Sequence, residues 1–350
     1  MEQRYCVIMA GGIGSRFWPL SKDSMPKQFL DILGTGKSFI RATFERFLPL
    51  VPAENFLVVT NAAYKHLVLA QLPELKDDQV LCEPMRRNTA PCIAYATYHI
   101  LSRCPQASIA VTPADHLVTN EREFQCVIGQ GLDFVESHRD ALMTIGIKPS
   151  RPETGYGYIE VEQVQEGIVP VKNFKEKPDL ETAKQFVAAG RYFWNSGIFL
   201  WSSDAIMAAF QAYLPDMVKL FDEGREAFGT PAEQDFINRQ FERCENISID
   251  YGVMERSKSR YTVAADFGWS DIGTWGSLYT HVPHDAAGNA IVSDKAYLVD
   301  THNSVVNIEP GFEAIVQGLD HCLVALSNGS LLVCRLDDEQ QIKHWVEKLS

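Results

Sequence analysis

Short apolar runs alternate with segments of helical spacing along the first half of the chain. Residues 5–10 (YCVIMA) are continuously apolar and end in Gly11 and Gly12, the pattern of a strand buried on both faces of a parallel sheet. Runs of the same kind at 56–60, 107–112 and 142–147 are separated by stretches whose apolar residues recur at helical spacing, 40–47 and 90–102. This alternation predicts an α/β fold. Asn88 and Thr89 offer N-caps for the second helix, and Pro91 suits a first turn whose backbone N–H groups have no partner. That helix start is therefore a candidate receiver for an anion.

The pattern changes after Pro149. Residues 156–164 and 168–175 predict neighbouring strands, and Leu180, Ala183, Phe186 and Val187 form a helix stripe closed by Gly190. Residues 203–257 are expected to be helical, 261–265 a strand, and 275–279 the start of another helix. A linker is predicted at 281–288. From 289 to 335 the chain consists of short β-rich pieces broken by Asn, Gly and Asp, which suggests a β-solenoid or small β-sheet domain. A capping box of Asp337 with Gln340 and the stripe Ile342, Trp345, Val346 and Leu349 predict a final helix.

Charge and composition narrow the function. The 350 residues carry 32 Lys plus Arg against 45 Asp plus Glu, a formal charge of −13, which argues against nucleic acid or a polybasic membrane anchor as partner. The length suggests about two domains of ~150 residues. No apolar run reaches the ~18–20 residues needed to span a bilayer, and the first one stops at glycines, so neither a membrane span nor a signal peptide is expected. The eight cysteines form no CxxC pair and are expected to be reduced core residues of a cytoplasmic protein. The nine histidines are dispersed, and the nearest pair, His281 and His284, brackets Pro283 without the spacing of a zinc site.

Two nucleotide motifs fail on spacing. Residues 34–38 (GTGKS) resemble a Walker A loop, but Asp31 occupies the position of its first glycine, leaving a surface turn. Gly12 and Gly14 begin a dinucleotide fingerprint, but Phe17 is too large for its third small position. What remains is a buried strand, the glycines Gly11, Gly12 and Gly14, then Ser15, Arg16, Pro19, Pro26 and Lys27. Glycines let backbone N–H groups approach phosphate oxygens, Arg16 adds a planar fork and Lys27 a point charge.

The run VIMAGGIGSRFWPLSKDSMPKQF resembles the signature loop of the sugar nucleotidyltransferases, and Trp18 with Lys27-Gln28-Phe29 resembles the mannose-1-phosphate guanylyltransferase branch. The likeness continues, in order, through EPMRRNTAP, TPADH, GYGYIE, FKEKP, FWNSGIFLW, SIDYGVMER and GWSDIGTW, over about the first 280 residues. It implies a Rossmann-like, mixed-sheet (glycosyltransferase-A-like) nucleotidyltransferase domain at 1–281, followed by a small left-handed β-helix-like domain with a terminal helix at 289–350. The implied reaction is transfer of GMP from GTP to α-D-mannose 1-phosphate, giving GDP-mannose and pyrophosphate by direct in-line attack with Mg²⁺. Relatives often have Ala and Thr in the loop where this chain has Gly12-Ile13-Gly14-Ser15, and Arg where it has Lys22; neither change removes a phosphate donor.

The resemblance implies roles residue by residue. Arg16, Lys27, Asp115, Lys177 and Asp271 are the expected catalytic residues, with Asp115 and Asp271 holding Mg²⁺ and Lys177 contacting the sugar phosphate. Gly11, Gly12, Gly14, Ser15, Asn88, Thr89 and Ala90 are expected at the nucleotide, and Gly157, Glu176 and Asn195 at the sugar. Glu83 is a candidate acceptor for the two adjacent N–H donors of guanine, or else a cap for the segment before Asn88. The rivals are another sugar 1-phosphate or nucleotide on the same fold, and a non-catalytic nucleotide-sugar-binding protein, which should lack a phosphate or metal residue. Longer relatives append an isomerase domain; with only about 60 residues after the linker, below a typical domain, isomerase activity is not expected. Exposed strand edges at the C-terminal end make a homodimer reasonable.

Overall fold

The computed structural model describes residues 3–349. They fall into two compact units, one formed by 3–11, Thr43–Ala114 and Val118–Trp269, the other by Gly12–Ala42, Asp115–Leu117 and 270–349. This partition differs from a division at 281–289, because the loop after the first strand groups with the C-terminal residues.

The first unit is built on a nine-stranded sheet. Its strands are β1 (Gln3–Met9), β2 (Phe56–Asn61), β3 (Val80–Glu83), β4 (Ala107–Pro113), β5 (Leu142–Ile147), β6 (Tyr158–Val161), β7 (Ile168–Lys175), β8 (Tyr192–Ser202) and β9 (Arg260–Ala265). They lie in the order β3-β2-β1-β4-β8-β5-β9-β7-β6. β1 is parallel to both neighbours, with Cys6 opposite Phe56 and Ala110, which explains its unbroken apolar run. β8 runs antiparallel to β4 and β5, so the sheet is mixed.

The helix Thr89–Arg103 is buried continuously from Ala90 to Ile100, so it has no solvent-exposed face along that stretch. The expected strand at 156–164 shortens to β6, and the expected helical stretch 203–257 breaks into Ser203–Tyr213, Pro215–Asp222, Glu233–Gln240 and a wide turn, Asp250–Met254. Pro215 ends the first of these because it cannot continue the preceding ladder. Four elements go beyond the sequence expectation: β3, β8, the helix Lys65–Gln71 and the helix Glu121–Ser137. The last carries a legible stripe of Phe124, Val127, Ile128, Leu132 and Val135, and its N-cap Asn120 accepts the Glu123 N–H at 3.1 Å.

The second unit contains β10 (Ala290–Val292), β11 (Ala296–Val299), β12 (Val305–Ile308), β13 (Ala314–Gln317), β14 (Cys322–Ser327) and β15 (Ser330–Arg335). β10, β12 and β14 run parallel, β15 closes antiparallel on β14, and β11 pairs in parallel with β13. Phe17, Ile32 and Phe39 from the loop segment pack into one apolar cluster with Trp275, Val305, Leu323 and Ile342, which is why residues 12–42 belong to this unit.

The terminal capping box does not form. Asp337 instead bonds the His321 ring at 3.0 Å, Leu336–Gln341 makes a tight 3₁₀ turn, and the helix is reduced to Ile342–Val346. Ile342, Trp345 and Val346 do pack on the core, whereas Leu349 is 74% exposed. The Walker-like loop is a turn, with the Asp31 carboxylate accepting the N–H groups of Thr35 and Gly36 at 2.9 and 2.6 Å. Four cysteines are buried, but Cys126 is exposed, which departs from the expectation of core residues. No helix among the described residues is long and apolar enough to cross a membrane.

Candidate active site

In the second unit, the loop leaving β1 folds around Lys27. Gly14 has left-handed backbone angles (φ 73°, ψ 42°), and a Cβ there would stand 2.5 Å from the Lys27 Cβ. The Lys27 N–H donates to the Ile13 carbonyl at 3.0 Å, and the Gln28 side chain donates to the Gly12 carbonyl at 3.0 Å. Lys27 itself is only 2% exposed. Its ammonium donates to the Asp115 carbonyl and Oδ2, each at 3.0 Å, and to the Asp271 carbonyl at 2.7 Å. The two aspartates expected at the metal, 156 positions apart in the chain, are thus drawn to one lysine.

Asp115 follows β4 in a short turn. Burial pushes its carboxyl up, but the charges of Lys27 and His116 and the Lys27 hydrogen bond outweigh this and hold it below its ordinary value. Asp271 accepts the Gly273 N–H at 3.1 Å. Between them Ile272 is fully buried in left-handed backbone (φ 41°), an unusual conformation for a β-branched residue. Such backbone persists where packing over-determines it, often at functional sites.

The sequence points Lys27 at phosphate, yet all three of its protons meet the aspartate-bearing segments. Arg16, by contrast, is exposed, and its guanidinium has no hydrogen-bond partner among the described residues. Ser15 opens the turn Ser15–Phe17 beside it, and Gly12 is exposed.

The first unit carries two further groups. Glu83 ends β3 and lies under Gly11, where a Cβ would be 3.5 Å from its Oε2. Its Oε1 is buried without a partner, and burial pushes the carboxyl up to about 8. No backbone N–H reaches this carboxylate among the described residues, which leaves the capping alternative without a hydrogen bond.

At the nearby helix start, Asn88 (φ 66°) accepts the Thr89 N–H at 3.0 Å, and Ala90 donates to the Ile247 carbonyl at 3.1 Å. With Pro91 lacking a donor, two of the amides expected to meet an anion are already satisfied and a third does not exist. The anion-receiving reading of this helix start is therefore corrected. Thr89 Oγ1 accepts the Ile249 N–H at 2.8 Å, so the helix start is tied to the segment 247–250.

That segment supplies a residue that sequence reasoning does not single out. Asp250 accepts from Asn195 Nδ2 at 2.9 Å, while Asn195 Oδ1 takes the Thr144 hydroxyl at 2.7 Å and the Asn195 N–H donates to the Gly157 carbonyl at 2.8 Å. Glu176 is buried, paired through Oε1 with Lys177 Nζ at 2.7 Å, and its Oε2 has no partner. A Cβ on Gly157 would collide with that oxygen, so any larger residue there displaces the Glu176 carboxylate. Gly157, Glu176, Lys177 and Asn195 are thus brought together, with Asp250 beside them. Burial and the Glu176 charge raise Asp250 to about 7, against a lowering by Lys177. Burial pulls the Lys177 ammonium down, and its bond to Glu176 with the charges of Glu176 and Asp250 more than reverses this.

A stability prediction follows from that crowding. Folded Asp250 keeps a proton that the unfolded chain releases above its ordinary 3.8, so stability falls as pH rises from there to about 7 and is flat above. Asp250→Asn should flatten the slope of melting temperature against pH in this window; an unchanged slope would show that the carboxyl is not the source.

The nucleotidyl transferase family model matches residues 5–288. The chain belongs to this family. It is 35% identical over 355 residues to a mannose-1-phosphate guanylyltransferase of Escherichia coli, covering 98% of this chain and 75% of that protein. A second such enzyme, from Escherichia coli strain K12, is 35% identical over 357 residues, covering 99% and 73%. Among solved structures, one described as mannose-1-phosphate geranyltransferase from Thermus thermophilus superposes with a TM-score of 0.88 at 27% identity, covering 99% of both chains. The mixed α/β nucleotidyltransferase fold accounts for the order of the sheet and for the glycine loop that leaves β1.

Proposed function

We propose that this protein transfers GMP from GTP to α-D-mannose 1-phosphate, forming GDP-mannose and pyrophosphate by direct in-line attack. The observation that carries this reading is the convergence of Asp115 and Asp271 on one buried lysine, in a chain that matches, over nearly all of its own length, relatives bearing the guanylyltransferase name. The donor set offered by the two aspartates is oxygen alone, which suits Mg²⁺, an ion that takes one or two carboxylates and completes its shell with water and phosphate. When bound, the ion would neutralise phosphate charge and polarise the α-phosphate.

The chain's own residues do the rest. Arg16, exposed and unpaired among the described residues, offers its fork to the triphosphate, supported by the N–H groups of Gly11, Gly12, Gly14 and Ser15. Glu83 accepts the guanine N–H pair, with Asn88, Thr89 and Ala90 packed beside the nucleotide. Lys177 meets the sugar phosphate, while Gly157, Glu176 and Asn195 read sugar hydroxyls, and the unpartnered Glu176 Oε2 awaits a donor. All these roles are proposals, as are a cytoplasmic location, a 1–281 catalytic region with a 289–350 β-helix, and a homodimer.

Label from GTP carrying ³²P at the α-phosphate should pass to a GDP-sugar when mannose 1-phosphate is supplied; label that stays in GTP would contradict the reading. Glu83→Gln tests base selection separately. It should cut the preference for GTP over ATP at least about tenfold, since one guanine donor loses its acceptor. Because Glu83 titrates at about 8 without ligand, wild-type affinity for GTP should rise towards that pH, and the variant should lose this dependence. Retention of full preference would remove Glu83 from the base site.

A further inference from the structure

We infer that Lys27 serves as a built-in counter-ion for the aspartate pair, keeping a free divalent cation off Asp115 until a nucleotide triphosphate draws the ammonium away. The inference rests on the assignment of the metal to Asp115 and Asp271. Its ground is the saturation of Lys27. An ammonium has three protons, and here they meet three acceptors: the Asp115 carbonyl, the Asp115 carboxylate and the Asp271 carbonyl. None is left for phosphate.

The environment holds the group in that state. Lys27 is 2% exposed, and its Nζ lies 5.0 Å from the centre of the Phe39 ring and 5.7 Å from that of Phe17. Water cannot solvate this charge, so it must remain on an anion. A divalent ion seeking the same Asp115 oxygen meets a fixed positive charge across about one carboxylate width, where repulsion is little screened. Both cations fit only when further negative charge arrives, and the phosphates of the nucleotide supply it. Lys27 then exchanges the Asp115 carboxylate for a phosphate oxygen, and the ion takes the freed carboxylate. No covalent bond is made or broken in this step.

The consequence is an order of events. The ion enters with the nucleotide, not before it, and a free metal ion cannot occupy the site unproductively. A purely structural lysine predicts otherwise: its removal would loosen the two segments and weaken any metal binding.

The test is Mn²⁺ binding by electron paramagnetic resonance, on the full chain without nucleotide. Lys27→Met keeps the unbranched apolar stem among the two rings, one atom shorter, and removes the charge. It should bind Mn²⁺ at least about tenfold more tightly than wild type, a difference of about 1.4 kcal/mol. Equal or weaker binding by folded Lys27→Met overturns the inference. Adding Asp271→Asn to that variant separates the underlying assignment: if tight binding survives, the ion does not use the aspartate pair and the metal assignment itself falls. Should Lys27→Met not fold, ¹⁵N-lysine labelling of wild type reads the same exchange. A slowly exchanging Lys27 ammonium that loses its protection on adding GTP with Mg²⁺ supports the inference, and one that is unchanged overturns it.

Discussion

Asp271→Ala lowers the rate of pyrophosphate release by at least about 10²-fold at saturating substrate, because a misplaced cation forfeits stabilisation of the transferring phosphoryl charge. The substitution is expected to leave the fold intact. The Asp271 carbonyl, which holds Lys27 at 2.7 Å, is backbone and survives, and the carboxylate's bond to the Gly273 N–H spans only two residues. Steady-state kinetics and a melting curve on the same preparation check both halves. Turnover like that of wild type, in protein with an unchanged melting temperature, would take Asp271 out of the reaction.

Gly14→Ala is expected to have the next largest effect, for a reason that is steric. The left-handed backbone at φ 73° costs an alanine roughly 1–2 kcal/mol. A Cβ 2.5 Å from the Lys27 Cβ and 3.2 Å from its Cδ must also push the buried side chain aside. Because Lys27 joins both aspartate segments, the displacement reaches Asp115 and Asp271 together. A fall of at least about tenfold in kcat with a lowered melting temperature is the expected result, since small misplacements at the reacting centre are costly. Unchanged kinetics would mean that the loop relaxes without moving the lysine.

Much of this is legible in the sequence because it depends on local chemistry. The run YCVIMA can be placed inside a parallel sheet because only a strand covered on both faces needs every side chain apolar. Gly190 closes its helix as expected, in left-handed backbone at φ 69°, for a reason carried by one residue. The groupings Gly14 with Lys27, and Gly157 with Glu176, Lys177 and Asn195, follow from motifs that the chain carries whole.

What escapes the sequence is long-range. Asp337 reads as a cap until His321, distant in sequence, offers it a better partner. The helix start at Thr89 reads as open because the sequence does not show that the Ile247 carbonyl takes its Ala90 amide. Asp250 sits in the motif SIDYGVMER without a role, since its meaning comes from Asn195 and the Glu176 charge. The destination of Lys27 is hidden for the same reason: a lysine beside a glycine loop suggests phosphate, and only the folded chain shows two aspartates waiting for it.

The central claim is the pairing of GTP with mannose 1-phosphate. The most direct measurement is pyrophosphate release by the purified chain with Mg²⁺, comparing GTP, ATP, UTP and dTTP against mannose 1-phosphate and then glucose 1-phosphate. The account predicts release with GTP and mannose 1-phosphate and little with the other pairs. Release with a different pair, or none from protein shown to be folded, would contradict it.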